Sequence, residues 1–138
     1  DKGSTAKLNA QAVIETMKAG IRPIPNQIIG FPEESFDSIR GNVVAWKKLG
    51  IRAYPFFATP YPGSEWYSLF KEKILAQYDH RLEDFLLDLG DATKITAVIS
   101  SRFNAVELLG LRELMVNLDL RRIDAYERQR ESCSTRNP

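Results

Sequence analysis

Apolar residues recur at helical spacing in two neighbouring stretches, and each stretch is followed by Gly-Ile-Arg and a brief apolar run. In residues 8–19, Leu8, Ala12 and Met17 mix with Gln11, Glu15 and Lys18, with Ile14 off the face, a moderate amphipathic pattern. Asn9 is placed to cap the start of this helix and Gly20 its end. In the second stretch Phe36, Ile39, Val43 and Trp46 stand three or four apart and line one face. Ser35 is its expected cap, and Gly50 closes it near Leu49. The apolar runs between and after these helices predict strands at 26–30 and 51–58. Pro23 and Pro25 delay the first, and Pro55 shortens the second, because proline cannot donate to a ladder. Ile28-Ile29 reads as a pair buried on both faces of a parallel strand.

Helix then strand, twice over, predicts consecutive αβ units of a parallel sheet. Each strand runs into a loop rich in Gly and Pro, Gly30-Phe31-Pro32-Glu33 and Thr59-Pro60-Tyr61-Pro62-Gly63. In such folds ligands bind at the carboxyl ends of strands, which is where both loops fall. From Ser64 onward the periodicity is helical. Helices are expected at 64–76 with Ser64 as cap, and at 82–89, 93–100, 105–117 and 119–130. Breaks fall near Tyr78, Gly90, Ser101 and Leu118. Phe85, Leu86, Leu89, Leu108, Leu109, Leu111, Leu114 and Met115 form the expected packing seam of this helical part. Three regions follow: αβ units at 1–63, a helical extension at 64–130, and a polar tail at 131–138 expected to be disordered.

Composition narrows the function classes. The chain of 138 residues suits one domain and is shorter than the roughly 200 residues that a complete (β/α)8 barrel needs. A formal net charge of +1 offers no electrostatic case for a nucleic-acid partner. No apolar run approaches the ~18 residues of a membrane span, and the start, Asp1-Lys2-Gly3-Ser4-Thr5, is polar, unlike a signal peptide. A cytoplasmic location is the default. The single cysteine, Cys133, excludes an internal disulfide and any cysteine-held cluster within the chain.

Local chemistry leaves two readings open at each loop. Gly30 at a strand's end permits close approach of a ligand to the backbone, but a tight turn with Glu33 and Glu34 complementing the next helix's positive end explains the same residues. The prolines flanking Tyr61 stiffen the second loop, either as a pocket wall or as a rigid connector. The lone His80 has no nucleophile or second ligand beside it in sequence and reads as a surface residue. Asp84, Asp88 and Asp91 do not fit an EF-hand spacing and read as helix-end or solvated acids. Arg121, Arg122, Arg128 and Arg130 alternate with Asp119, Asp124 and Glu127, the pattern of a salt-bridged exposed helix.

Taken together, Gln27-Ile28-Ile29-Gly30-Phe31-Pro32-Glu33-Glu34-Ser35, then a helix and a strand, then Thr59-Pro60-Tyr61-Pro62-Gly63-Ser64-Glu65-Trp66-Tyr67, resembles radical S-adenosylmethionine enzymes, in particular the group that often carries a cobalamin-binding domain. The resemblance covers roughly residues 3–70. It implies the carboxyl-terminal fragment of a partial (β/α)6 barrel, with two parallel strands followed by an all-helical extension. The family's fifth-strand pattern GxIxGxxE supports the adenosine of the cofactor, and Ile28, Gly30 and Glu33 match it, while Asn26 replaces the first glycine. Period-two alternation puts Asn26, Ile28 and Gly30 on one face, the interior of the implied barrel. Phe57, Ala58 and Thr59, at the sixth strand's end, would contact the adenine. The family's CxxxCxxC, whose thiolates hold a [4Fe–4S] cluster, is absent here. The resemblance therefore implies a longer parent enzyme, whose missing amino-terminal half would be this chain's partner. That parent would bind S-adenosylmethionine and the cluster, with cobalamin as a further possible cofactor, and this chain alone would not catalyse. Two competing readings are a non-catalytic helical interaction module on an αβ scaffold and a fragment of a different barrel enzyme that binds a phosphate or a dinucleotide, although neither loop carries GxGxxG or a Walker pattern. Two parallel strands alone leave an open edge, so pairing between copies of the chain through that edge is also expected.

Overall fold

A computed structural model describes residues 4–91 and 93–134. Among these the element order is α1 (Ala6–Lys18), β1 (Asn26–Ile29), α2 (Phe36–Leu49), β2 (Tyr54–Phe57), α3 (Glu65–Ala76), α4 (Leu82–Asp88), α5 (Ala105–Val116) and α6 (Leu120–Ser134). β1 and β2 pair in parallel, with Asn26 opposite Tyr54 and Ile29 opposite Phe57. The fold is therefore mixed α/β, with six helices and a two-stranded sheet among the described residues.

Local chemistry explains most boundaries. Ser35 caps α2 in a reciprocal capping box with Ser38, and Ser64 caps α3 by accepting from the Tyr67 N–H. Gly50 ends α2 at φ 66°, a left-handed conformation that glycine adopts without a Cβ penalty. The two αβ junctions share a device: the Ile21 N–H donates to the Thr16 carbonyl and the Ile51 N–H to the Trp46 carbonyl, satisfying end carbonyls of α1 and α2. The first helix begins earlier than its periodicity suggests, because Thr5 and not Asn9 accepts from the Leu8 N–H. Its apolar stripe is too weak to mark the first turn.

The sheet has one packed face and one open face. Ile29 and Phe57 join Phe36, Ile39, Val43 and Trp46 of α2, Leu108, Leu111 and Met115 of α5, and Ile123 of α6 in the main core. Burial of each such large apolar side chain contributes roughly 1.5–3 kcal/mol. Asn26, Ile28 and Tyr54 are exposed on the other face, and Phe56 is half-buried. The expectation that Ile28 is buried on both sides is corrected: it is 40% exposed, because no described helix covers its face. A second cluster gathers Ala58, Ile74, Phe85, Ala97 and Ile99 beyond the carboxyl end of β2.

Three further expectations are corrected. No helix forms at 93–100; among the described residues this stretch is irregular, and Thr96, Ala97, Ile99 and Ser100 are buried. The β-branched Thr96, Val98 and Ile99 disfavour helix, and side chains of and just beyond α3 take over the backbone bonding instead. Gln77 both donates to the Val98 carbonyl and accepts from the Val98 N–H, while Lys73 Nζ donates to the Ser100 carbonyl at 2.8 Å. The expected tail is helical through Ser134, and its residues 135–138 lie outside the described residues. The packing seam is also redistributed. Phe85, Leu108, Leu111 and Met115 are core residues, whereas Leu86 and Leu109 are exposed.

Candidate functional site

The parallel register brings both strand ends to one place. The Ala58 N–H donates to the Ile29 carbonyl at 2.8 Å, so Gly30 and Ala58 leave the sheet side by side at the same end. Gly30 turns out of the strand at φ 95°. A Cβ built there would lie 3.3 Å from Leu108 Cδ1, so a residue of α5 makes the close approach on that side of Gly30. Gly30 therefore does not share the open face with Asn26 and Ile28, as strict alternation would have it, because the left-handed turn redirects it toward the packed side. Thr59 is half-buried, and its hydroxyl donates to the Phe57 carbonyl at 3.2 Å.

The remaining residues singled out by sequence spread over three surroundings. Phe57 is 3% exposed in the main core, with the Arg112 guanidinium 5.1 Å from its ring centroid. Ile28 lies on the open face. Glu33 is exposed and lines a cleft of about 320 Å³ together with Phe31, Pro32, Trp66, Leu69 and Phe70. The strand ends thus hold Gly30, Ala58 and Thr59 together, with Ile28, Phe57 and Glu33 each directed elsewhere.

The acid that supports the strand end is Glu34, which sequence reading treated only as a helix-start residue. It is 5% exposed. One carboxylate oxygen accepts from the Gly30 N–H at 3.3 Å, and the other accepts from the Ser38 hydroxyl. Burial pushes its carboxyl above the ordinary range, and the bonds from Ser38, Gly30 and Phe31 pull the other way without cancelling it. The i, i+4 spacing of Glu34 and Ser38 across a helix start was the available signal. The loop after β1 is also tied from above: the Ser101 N–H and hydroxyl both donate to the Pro32 carbonyl, at 2.9 and 2.7 Å.

Elsewhere, Tyr78 and Asp91 owe their shifts to their surroundings. The Tyr78 hydroxyl lies between the Thr96 carbonyl and the Asp88 carboxylate, and burial followed by that carboxylate pushes it up to about 12. Asp91 accepts from the Thr93 N–H and hydroxyl, which lowers its pKa. His80 is exposed. Among the described residues no group of three or more His, Cys, Asp or Glu side chains could hold a metal, and no helix is long and apolar enough to cross a membrane. Cys133 is exposed on α6.

Comparison with known proteins gives one partial likeness. The chain is 38% identical over 64 residues to an uncharacterized methyltransferase of Pyrococcus horikoshii; the match takes in 46% of this chain and 14% of that protein. The chain thus spans about a seventh of the curated relative it matches. No protein-family profile matches the chain. No solved structure matches it either.

Proposed function

We propose that this chain is the carboxyl-terminal part of a radical S-adenosylmethionine enzyme, closing a partial (β/α)6 barrel and contributing to its adenosine pocket. The observation that carries this reading is the side-by-side exit of Gly30 and Ala58 from adjacent parallel strands, beside an uncovered face bearing Ile28 and Phe56. That face is the interior of the proposed barrel. An adenine would lie against Ile28 and the Phe57–Thr59 backbone. Gly30 and Glu33 take other parts: Gly30 sets the loop's direction, and Glu33 lies outside the pocket, in the cleft beside α3. The likeness to a methyltransferase supports the reading, since S-adenosylmethionine is a methyl donor.

The chain's own residues do not fit the cluster. A [4Fe–4S] centre needs several thiolates, and Cys133 stands alone on the last helix. The cluster, and with it any cobalamin of the parent, would belong to the amino-terminal half. That half would add its strand to the outer edge of β1. In its absence a second copy of the chain would use the same edge. The interaction-module reading has less support, because Leu108, Leu111 and Met115 are spent in the core and only Val106 and Leu109 of α5 are strongly exposed.

The longer coding sequence tests the proposal. A CxxxCxxC should precede this segment, and the protein containing both, purified without oxygen, should cleave S-adenosylmethionine to 5′-deoxyadenosine. An upstream sequence without that cysteine triplet would overturn the assignment.

A further inference from the structure

We propose that the cleft between the β1–α2 loop and α3 binds a small organic cation, an ammonium or sulfonium carrying apolar substituents. Its walls are Phe31, Pro32, Trp66, Leu69 and Phe70, and its single charged group is Glu33. Phe31 and Trp66 meet edge to face with centroids 5.2 Å apart, which fixes the two rings against each other. Leu69 is 67% exposed on the same rim, an apolar side chain left without cover. A volume of about 320 Å³ lies at the small end of ligand pockets.

Charge selects the ligand class. Among the described residues no ion pair or hydrogen bond engages the Glu33 carboxylate, while both oxygens of Glu34 beside it accept hydrogen bonds. A carboxylate that shares a cleft with aromatic rings attracts an onium ion by Coulomb attraction, and a ring face turned to the cation adds to it. Apolar substituents on the cation cover Leu69 and Phe70 and displace water from them. An anion would meet repulsion from Glu33, and a neutral ligand would leave that charge unanswered. This inference does not depend on the nucleoside reading, because the cleft lies between the β1–α2 loop and α3, and Ile28 and Phe56 of the open sheet face do not line it.

The test uses the full chain labelled with nitrogen-15 and titrated with choline, with trimethylsulfonium, and with 3,3-dimethyl-1-butanol, the neutral counterpart of choline. Both cations should shift the Trp66 indole N–H and the Glu33 amide, and should bind at least tenfold more tightly than the alcohol. Glu33→Gln should weaken choline at least tenfold, and raised salt should weaken it in the wild type. Trp66→Leu should abolish binding, with the amide spectrum elsewhere reporting that the fold persists. Equal affinity for choline and the alcohol, undiminished binding in Glu33→Gln, or shifts confined to other surfaces would each overturn the proposal. None of the probes contains a nucleoside, so failure here leaves the adenosine pocket untouched, and failure of that pocket leaves this cleft untouched.

Discussion

The two αβ units have one sequence design and two different fates. In the second, α2 buries Phe36, Ile39, Val43 and Trp46 against the sheet and against α5 and α6. In the first, α1 buries no residue; Leu8 is 58% exposed and Met17 39%. Both units end with the same isoleucine N–H closing the helix, and their strands pair in register. Repetition of an amphipathic pattern therefore sets the local elements, while burial depends on whether a neighbour exists to receive the apolar face. α2 has α6 on one side and the sheet on the other. Among the described residues α1 meets α2, and Val13 is its one hydrophobic packed against the core.

The largest contrast should appear in core truncations. Ile39→Ala should cost about 3 kcal/mol in urea unfolding, within the range for fully buried aliphatic residues. Leu8→Ala and Met17→Ala should each stay within about 0.5 kcal/mol, as substitutions on an exposed face do. Equal losses in the two helices would break the comparison. Removal of the caps should show a smaller difference in the same direction. Ser35→Ala should lower global stability by about 1 kcal/mol, whereas Thr5→Ala should fray α1, read as lost helical circular dichroism without a matching fall in the unfolding midpoint.

Arg40 ties α2 to α6 through Asp124, at 3.3 Å, and Glu127, with Asp37 on its own helix. Its side chain is 27% exposed, so solvent screens part of the attraction. Arg40→Ala should cost about 0.5–1 kcal/mol at low salt, and less as salt rises. The smallest effect concerns Glu34. Its folded pKa is raised by burial, so the protonated form is the one the fold favours. The stability it contributes is full below the ordinary carboxylate range, near about pH 4, and is lost as pH rises through its folded value. Glu34→Gln should therefore show a smaller drop in midpoint between about pH 4 and pH 7 than the wild type, followed by thermal unfolding at both values.

Much of this was legible along the chain. Ser35, Gly50 and Ser64 mark their helix ends because capping is local chemistry, and the four apolar residues of α2 predict its buried face. The failures are non-local. The stretch 93–100 carries a helical spacing, but its backbone is held by Lys73, Gln77 and Tyr78, and no spacing within the stretch reveals those partners. Ile28 looks buried because its neighbour is apolar, yet the face it lies on is uncovered. At the candidate site the two glycine- and proline-rich loops were found from sequence, and their common end of the sheet follows from the parallel pairing. The exchange of roles between Glu33 and Glu34 was hidden, because adjacent acids at a helix start are equivalent until the turn at Gly30 decides which one faces inward.

The proposed nucleoside site at the two neighbouring strand ends is open to a direct test. A nitrogen-15 correlation spectrum of the chain titrated with 5′-deoxyadenosine at millimolar concentration measures it directly. Shifts should concentrate at Ile28 to Phe31 and Phe57 to Thr59. Shifts concentrated at the opposite sheet end, around Ile21, Arg22 and Arg52, or no shifts at all, would contradict it.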